Sequence, residues 1–351
     1  MGLGGHLMWT AVLRTVTEET GKSALVTHMP GLTDLARGRL YRGDVSLSDD
    51  PIFRHNPRLA FNETRAKTAA ERRIDRLFFA ALRRDGLKTA YEGFLLRATA
   101  RHSRTKRYVL VNLDNPRYSY AASVLDDRMI WKTGGHAADI MARPFGVVVR
   151  DRGGEMHFDD EERQAARHRL AERGMTPGRY VTIDPETKTE YFGDLRGWPF
   201  ERWQALVDRL RQRFADVPVV QLGLDRSRRL NGVVDLCGQT SVREVALVIA
   251  EAGLFMGTES GLMHVARAMN TEALILWGGV TLPEFAGYAD RHTIICKRVE
   301  CAPCGLLGRC PNAHKCMDTI TVEEAAVAAE AVVEQLANRP RRAAGDGDRG
   351  Q

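Results

Sequence analysis

The sequence lacks several features that would assign it to common classes of protein. It has no run of about 18 uncharged apolar residues, the length that a helix needs to cross a bilayer. No secretory leader precedes the first predicted helix, so we expect a cytoplasmic protein. No G-x-G-x-x-G follows a predicted strand with an acid about twenty residues later, which argues against a nicotinamide-dependent dehydrogenase. Basic patches interleaved with aromatic residues are also missing. The net charge of +6 fits acidic ligands or an anionic membrane surface, but it is too diffuse to indicate nucleic acid, and a solvated arginine-rich surface explains it more simply.

The composition is that of a soluble globular protein large enough for two domains. The 351 residues are 44% hydrophobic and 27% charged. Helical and strand-like patterns alternate along the chain, which predicts an α/β class with parallel sheets. The break at Gly174–Gly178 predicts domains over residues 1–173 and 174–338, and the polar residues 339–351 predict a disordered tail.

Hydrophobic periodicity and turn residues place the main elements. In the first half we predict helix Leu7–Glu19, strand Ser23–Thr27, a long loop over Ser46–Lys67, amphipathic helix Ala69–Arg84 and strand Tyr108–Val111. In the second half we predict helix Phe158–Arg173, strand Tyr180–Ile183, helix Pro199–Phe214, strands Val217–Leu222 and Ala273–Trp277, and helix Val322–Leu336. Residues Met1–His6 have the composition of a glycine turn ahead of a helix. Since a doubly wound domain ordinarily starts with a strand, we expect the first domain to lack its first strand.

The stretch Gly257–Met269 predicts a strand end, a tight turn and a helix start that suit an anion. Ser260 is a good N-cap residue, and Gly261 lets a ligand approach the backbone closely. Free N–H groups and the positive end of the helix dipole at such a start attract phosphate. Capped helices after strands are also common in any α/β protein, so this stretch alone leaves a purely structural interpretation open.

Two charged residues in the second half are candidate ligand contacts. Arg196 lies just before Trp198-Pro199, where Pro199 is predicted to be the first residue of a helix. Its planar guanidinium suits phosphate oxygens and the stabilisation of a departing diphosphate, although a surface arginine fits the pattern as well. Asp225 follows a predicted strand, where a carboxylate can accept hydrogen bonds from ribose hydroxyls. Acids after strands are common, so the pattern is weak by itself.

Five of the six cysteines fall in a Cys-rich loop over residues 296–317. Four of them have the spacing of a thiolate site for zinc or iron: Cys301, Cys304, Cys310 and Cys316. Four ligands leave no open position, so such a metal would be structural and no catalytic metal is expected. The alternative is a reduced loop without metal. Cys237 and Cys296 have the character of ordinary buried thiols.

Together these motifs resemble glycosyltransferase family 9, the bacterial lipopolysaccharide heptosyltransferases and their relatives. The resemblance rests on Gly4–Arg14, on Arg196-Gly197-Trp198-Pro199, on Asp235–Glu244, on T-E-S-G-L-M-H at residues 258–264, and on the cysteines up to Cys316-Met317. Their order and spacing are highly specific in the second half, whereas the resemblance cannot be followed between Ser46 and Thr105. It implies two Rossmann-like domains that face each other across a cleft (GT-B type). The first would hold an acceptor and the second a nucleotide sugar.

The resemblance also implies roles for individual residues in the second half. Glu259 would bind sugar hydroxyls of the donor. His264 matches the histidine of the family motif and would belong to the donor site, with a packed structural residue as the alternative. Arg196 would stand where the family usually has a lysine beside the phosphates, and Asp225 would hold the ribose. The residues that would cradle the diphosphate are Ser260, Gly261 and Leu262.

The resemblance implies inverting transfer of a sugar, expected to be a heptose from ADP-heptose, to a saccharide or lipid-linked acceptor. Peripheral contact with the inner membrane surface would suit such an acceptor. Where the family usually carries an aspartate as the presumed base, this chain has Gly5, which cannot accept a proton. His6 is the candidate replacement, since its ordinary pKa near 6.5 suits a base at neutral pH. The alternative is a weak or inactive homologue that binds nucleotides or acts as a scaffold.

Overall fold

A computed structural model of the chain describes residues 2–83, 86–115, 135–186, 194–306 and 308–338, so the predicted tail at 339–351 lies outside the described residues. The chain divides into two units. The first comprises Met1–Asp159 and Glu284–Tyr288, and the second comprises Asp160–Pro283 and Ala289–Gln351. The division follows Asp159 rather than the glycine-rich break at Gly174. In the described part of the chain, no helix is long and apolar enough to cross a membrane.

The first unit contains a three-stranded parallel sheet in the order β2-β1-β3. Its elements are α1 (Leu3–Thr20), β1 (Ser23–Thr27), α2 (Leu32–Leu35), β2 (Leu59–Ala60), α3 (Ala69–Ala81), α4 (Leu87–Thr105), β3 (Tyr108–Asn112), α5 (Ala137–Ala142) and a 3-10 turn at Arg143–Phe145. Strand β1 is central because Ala24, Leu25 and Val26 are all buried. The periodicity of α4 was too weak to predict this helix, which buries only Tyr91 and Leu95 among its large apolar side chains.

The predicted glycine turn at the start of the chain is wrong. Helix α1 already begins at Leu3, so Gly5 and His6 lie inside it, and the His6 N–H donates to the Gly2 carbonyl at 3.1 Å. The reason is packing, because α1 buries an almost continuous apolar segment from Leu7 to Leu13, and this anchors the turn that precedes it.

The second unit is a six-stranded parallel sheet with flanking helices. Its elements are α6 (Asp160–Glu172), β4 (Val181–Asp184), α7 (Phe200–Arg213), β5 (Val219–Gln221), β6 (Val234–Asp235), α8 (Val242–Ala250), β7 (Leu254–Thr258), α9 (Gly261–Ala268), β8 (Ala273–Trp277), β9 (His292–Cys296), α11 (Lys315–Asp318) and α12 (Val322–Ala337). The short helix between β8 and β9, α10 (Pro283–Ala286), lies mainly in the segment assigned to the first unit. Pro199 is the N-cap of α7 rather than its first helical residue.

The strand order in the second unit is β6-β5-β4-β7-β8-β9. Counted within this unit the order is 3-2-1-4-5-6, which is that of the doubly wound dinucleotide-binding fold. The order reverses between β4 and β7, where Asp184 is in register with Gly257. Ligands of such sheets bind outside the carboxyl ends of the strands at this reversal. The strand order therefore predicts a ligand site at the residues after β4 and β7.

Candidate functional site

The residues after β7 form the start of α9 at the point where the strand order reverses. Ser260 is the N-cap residue with extended backbone (φ −147°, ψ 176°), but its side chain makes no capping hydrogen bond. Its Oγ is buried and has no hydrogen-bond partner among the residues that the structure describes. Since the first four N–H groups of a helix have no partner within the helix, the start of α9 offers donors to an anion.

Thr258, the last residue of β7, adds a second hydroxyl at this point. It is 1% exposed, and its Oγ1 has no partner within the described ranges. A buried hydroxyl without a hydrogen bond is unfavourable by about 1–3 kcal/mol, so proteins seldom leave one unsatisfied unless a ligand or water completes it. Thr258 and Ser260 therefore lie as expected for a polar ligand at the carboxyl end of β7.

Glu259, which lies between these two residues in the sequence, belongs to a buried pair of opposite charges. The Arg196 guanidinium is 3.6 Å from Oε1 of Glu259, and the two side chains are only 15% and 10% exposed. Thr281 donates its hydroxyl to Oε2 of the same carboxylate at 3.2 Å. Burial raises the pKa of Glu259 above its ordinary value, and Arg196 and Thr281 oppose this shift. The structure thus joins Arg196 and Glu259, which are far apart in the sequence, beside the start of α9.

Asp225 lies at the same edge of the sheet, in the turn after β5, which is two strands from β7. Its side chain is exposed, while its backbone packs so closely on Gly238 that a Cβ there would lie 2.7 Å from the Asp225 Cα. Gly238 also has a positive φ of 71°, so both the close contact and the backbone conformation require glycine at this position. The Asp235–Glu244 motif thereby fixes the backbone that carries Asp225.

His264 has a different environment from the residues that precede it. It lies one turn into α9 and is 7% exposed, between Met263 and Val265, which are fully buried. Its place in the buried part of the helix fits a packed residue that holds α9 on the sheet.

In the first unit, His6 lies near two residues of the predicted long loop. Its Nδ1 is 3.8 Å from Oδ2 of Asp50, and its ring centroid is 5.4 Å from that of Phe53. Burial lowers the pKa of His6, and the nearby Asp50 opposes this shift. A neutral imidazole with a carboxylate beside it has the chemistry of a general base.

The four cysteines of the predicted metal site are free and partly buried. Three of them lie near one another. Burial raises the pKa of Cys316, and the Cys304 and Cys301 thiols raise it further. The Cys304 N–H donates to the Gly279 carbonyl at 2.8 Å, and a Cβ on Gly279 would lie 3.3 Å from the Cys316 sulfur. In the described part of the chain no three of these sulfurs come within 4.8 Å of one another.

Comparison with known proteins shows which sequence family the chain resembles. Residues 136–308, which include the start of α9 and the first two cysteines of the cluster, match the model of glycosyltransferase family 9 (heptosyltransferase). The chain is a protein similar to glycosyltransferase family 9 (heptosyltransferase). It is therefore a glycosyltransferase, as the motifs predicted. No curated protein sequence matches the chain.

Solved structures of family 9 proteins share the fold. The glycosyl transferase family 9 protein from Veillonella parvula is 16% identical with a TM-score of 0.58, and the match covers 95% of each chain. ADP-heptose lipopolysaccharide heptosyltransferase II from E. coli is 14% identical with a TM-score of 0.54, over 95% of this chain and 96% of that one. At these identities the likeness concerns the fold, and the α/β class with parallel sheets is confirmed.

Several polar residues in this glycosyltransferase have positions that the sequence did not reveal. Asp184 ends β4 beside Gly257, and burial raises its pKa to about 7. In the first unit, His28 and Asp114 follow β1 and β3, with 3.5 Å between Nδ1 and Oδ2. The Met29 N–H donates to the other Asp114 oxygen at 2.6 Å. The signal for each was a polar residue at or just after the end of a buried strand, which becomes informative once neighbouring parallel strands are known.

Proposed function

We propose that this glycosyltransferase transfers a heptose from ADP-heptose to a saccharide or lipid-linked acceptor in the cytoplasm. The observation that carries the proposal is the buried Arg196–Glu259 pair beside the start of α9, at the strand reversal of the second unit. In this proposal the second unit binds the nucleotide sugar and the first unit binds the acceptor. The similarity to family 9 and the ADP-heptose-dependent enzyme among the structures of similar fold support this division.

The proposed donor site uses opposite charges for two different ends of the ligand. The diphosphate would accept hydrogen bonds from the free N–H groups at Gly261 and Leu262 and from Ser260, while Arg196 would neutralise its charge. Glu259, as an acceptor of hydrogen bonds, suits sugar hydroxyls and would repel phosphate. Arg196 would therefore have two tasks, because it opposes the rise in pKa that burial causes at Glu259 and would also supply the cation beside the diphosphate.

The proposed reaction is a direct displacement with inversion at the anomeric carbon. The acceptor oxygen forms a bond to that carbon as its bond to the diphosphate oxygen breaks, and ADP leaves with the bonding electron pair. Arg196 would stabilise the charge that develops on the diphosphate. The proton of the acceptor hydroxyl would pass to the ring of His6. His28 beside Asp114 is the alternative base, because it lies close enough to His6 for its charge to lower the pKa of His6.

Nucleotide binding tests the donor site. We expect ADP to raise the melting temperature more than UDP or GDP does. A nucleotide at 100 times its Kd should stabilise the folded state by about 2.7 kcal/mol. Absence of stabilisation by all three nucleotides at millimolar concentration would contradict the proposal. Transfer or hydrolysis of ADP-heptose by the purified protein then distinguishes an enzyme from a protein that only binds nucleotides.

Histidine variants test the base. His6→Ala should slow transfer about 10²- to 10⁴-fold with unchanged ADP binding, the range expected for loss of a general base. His28→Ala is the competing variant, and His168→Ala, which changes a 77% exposed side chain on α6, is the matched control. Transfer that is slowed by His28→Ala and not by His6→Ala would assign the role to His28.

We also propose that the cysteine loop binds a structural zinc or iron. The four thiols are the donor type that both metals prefer, and Gly279 gathers Cys304 and Cys316 by leaving room for the loop. Since the sulfurs lie further apart than in a closed site, metal binding would draw them together. Metal analysis of protein purified without added metal checks this. Cys304→Ser should lower the content, whereas Cys237→Ser, in a buried thiol outside the loop, should not.

A further inference from the structure

Helix α3 (Ala69–Ala81) has the reverse of the usual arrangement, because its acidic residues face inward. Glu71 and Asp75, its only acids, are 9% and 7% exposed. Asp75 accepts a hydrogen bond from the buried Lys67 ammonium at 2.7 Å. Glu71 accepts one from Arg65 at 2.7 Å and pairs with Arg37. These ion pairs, made with residues outside the helix, fix which side of α3 faces the protein.

The opposite side of α3 consequently presents apolar and cationic side chains to solvent. Leu77 is 63% exposed and Ile74 is 44% exposed, and they lie three residues apart on one face of the helix. Arg73 and Arg76 are exposed beside them. We call these four residues the α3 outer face. Since both acids of the helix are buried, the α3 outer face carries cations and no anion.

We propose that the α3 outer face docks on the surface of an anionic phospholipid bilayer. A helix that lies in a bilayer interface has apolar side chains such as leucine that enter the acyl region and basic side chains that meet the phosphates. The 13 residues of α3 make a rod about 20 Å long. Such a rod suits a flat surface rather than a closed pocket.

The charges of the α3 outer face favour a bilayer over a second copy of this chain. A symmetric contact between two copies would place the same patch against itself, so Arg73 and Arg76 would face their own counterparts. Their positive charges would repel one another unless an anion lay between them. A lipid surface supplies these anions as phosphates and also accepts the apolar side chains of Ile74 and Leu77.

Sedimentation of the full chain with lipid vesicles tests the proposal. We expect binding to vesicles of phosphatidylglycerol and phosphatidylcholine and much weaker binding to phosphatidylcholine alone. Each arginine at an anionic surface contributes about fivefold in affinity, so R73Q/R76Q should weaken binding about 25-fold. I74S/L77S should weaken it at least tenfold through lost apolar contact. Salt should weaken the wild type, since the screening length falls from about 10 Å at 0.1 M to about 3 Å at 1 M.

Matched variants in other parts of the chain control for general effects of charge and hydrophobicity. V327S changes a 56% exposed side chain on α12, and R150Q/R291Q removes two exposed arginines. Both should retain vesicle binding. All variants should keep the melting temperature and ADP binding of the wild type, because the changed side chains are exposed and the proposed donor site lies in the second unit.

Three results would overturn the proposal. The first is a wild type that does not bind anionic vesicles, and the second is equal loss of binding in the control variants. The third is a concentration-dependent dimer that R73Q/R76Q or I74S/L77S abolishes while vesicle binding persists, which would make the α3 outer face a contact between copies.

Discussion

Replacement of Arg196 by alanine removes the cation from a buried pair and leaves Glu259 without its opposite charge. At 3.6 Å and an effective dielectric constant of about 20, two unit charges attract by about 5 kcal/mol, which sets an upper figure for the pair. Loss of one partner from a buried ion pair costs about 3–5 kcal/mol of stability because the remaining charge is uncompensated. Glu259 can avoid part of this cost by taking up a proton.

This protonation gives the cost a definite pH dependence. Burial already raises the pKa of Glu259 above its unfolded value, and removal of Arg196 raises the pKa further. A carboxyl group with a raised pKa binds more protons in the folded state, so the free energy of unfolding falls as pH rises through that pKa. We therefore expect R196A to be close to wild type in stability at low pH and progressively less stable as pH increases.

Urea unfolding of R196A at about pH 5 and about pH 8 measures the effect, with R196A/E259Q as the matched variant. The neutral glutamine has no charge to compensate, so the double variant should recover most of the stability lost at the higher pH. A cost that does not change with pH, or that E259Q fails to relieve, would refute the reasoning. The affinity of R196A for ADP should fall by about 10- to 150-fold, which corresponds to the loss of one charge-assisted hydrogen bond of about 1.5–3 kcal/mol.

Two further predictions concern other buried charges. Burial raises the pKa of Asp184 to about 7. The wild type should therefore lose up to about 4 kcal/mol of stability relative to D184N as pH rises from about 4 to 7. Parallel pH profiles of the two proteins in urea unfolding would contradict this. K67M should lower stability by about 3–5 kcal/mol, because it leaves the buried carboxylates of Asp34 and Asp75 unpaired. Urea unfolding of K67M measures this loss of stability, with K22M as the control because the Lys22 ammonium donates to backbone carbonyls. Equal losses of stability in the two variants would argue against a stabilising role for the Lys67–Asp34–Asp75 ion pairs.

The elements that could be predicted to the residue are those whose local sequence decides their environment. Strands β1 (Ser23–Thr27) and β8 (Ala273–Trp277) are short apolar runs buried within parallel sheets, and their bounds match the prediction. Helix α4 was not predicted, because its sequence is polar and few of its apolar side chains are buried. Helix α3 was predicted as amphipathic, but the side that faces the protein depends on Lys67, Arg65 and Arg37. Such contacts between distant residues leave no periodic signal.

The candidate site divides in the same way. The turn from Thr258 to Gly261 is contiguous in the sequence, so its strand end and helix start were predictable. Arg196 lies in a separate motif, and only the fold brings it to Glu259. Asp184 and the His28–Asp114 pair became visible only with the strand order, because their strands are neighbours in space and not in sequence. Residue patterns predict an anion-binding helix start, whereas the sheet topology is needed to find what surrounds it.

The most direct test of a donor site at the carboxyl edge of the second sheet is a crystal structure with ADP bound. We predict diphosphate oxygens within hydrogen-bond distance of the Gly261 and Leu262 N–H groups, with the Arg196 guanidinium on the same phosphates. A diphosphate bound elsewhere, with Arg196 and the start of α9 free of ligand, would contradict the account.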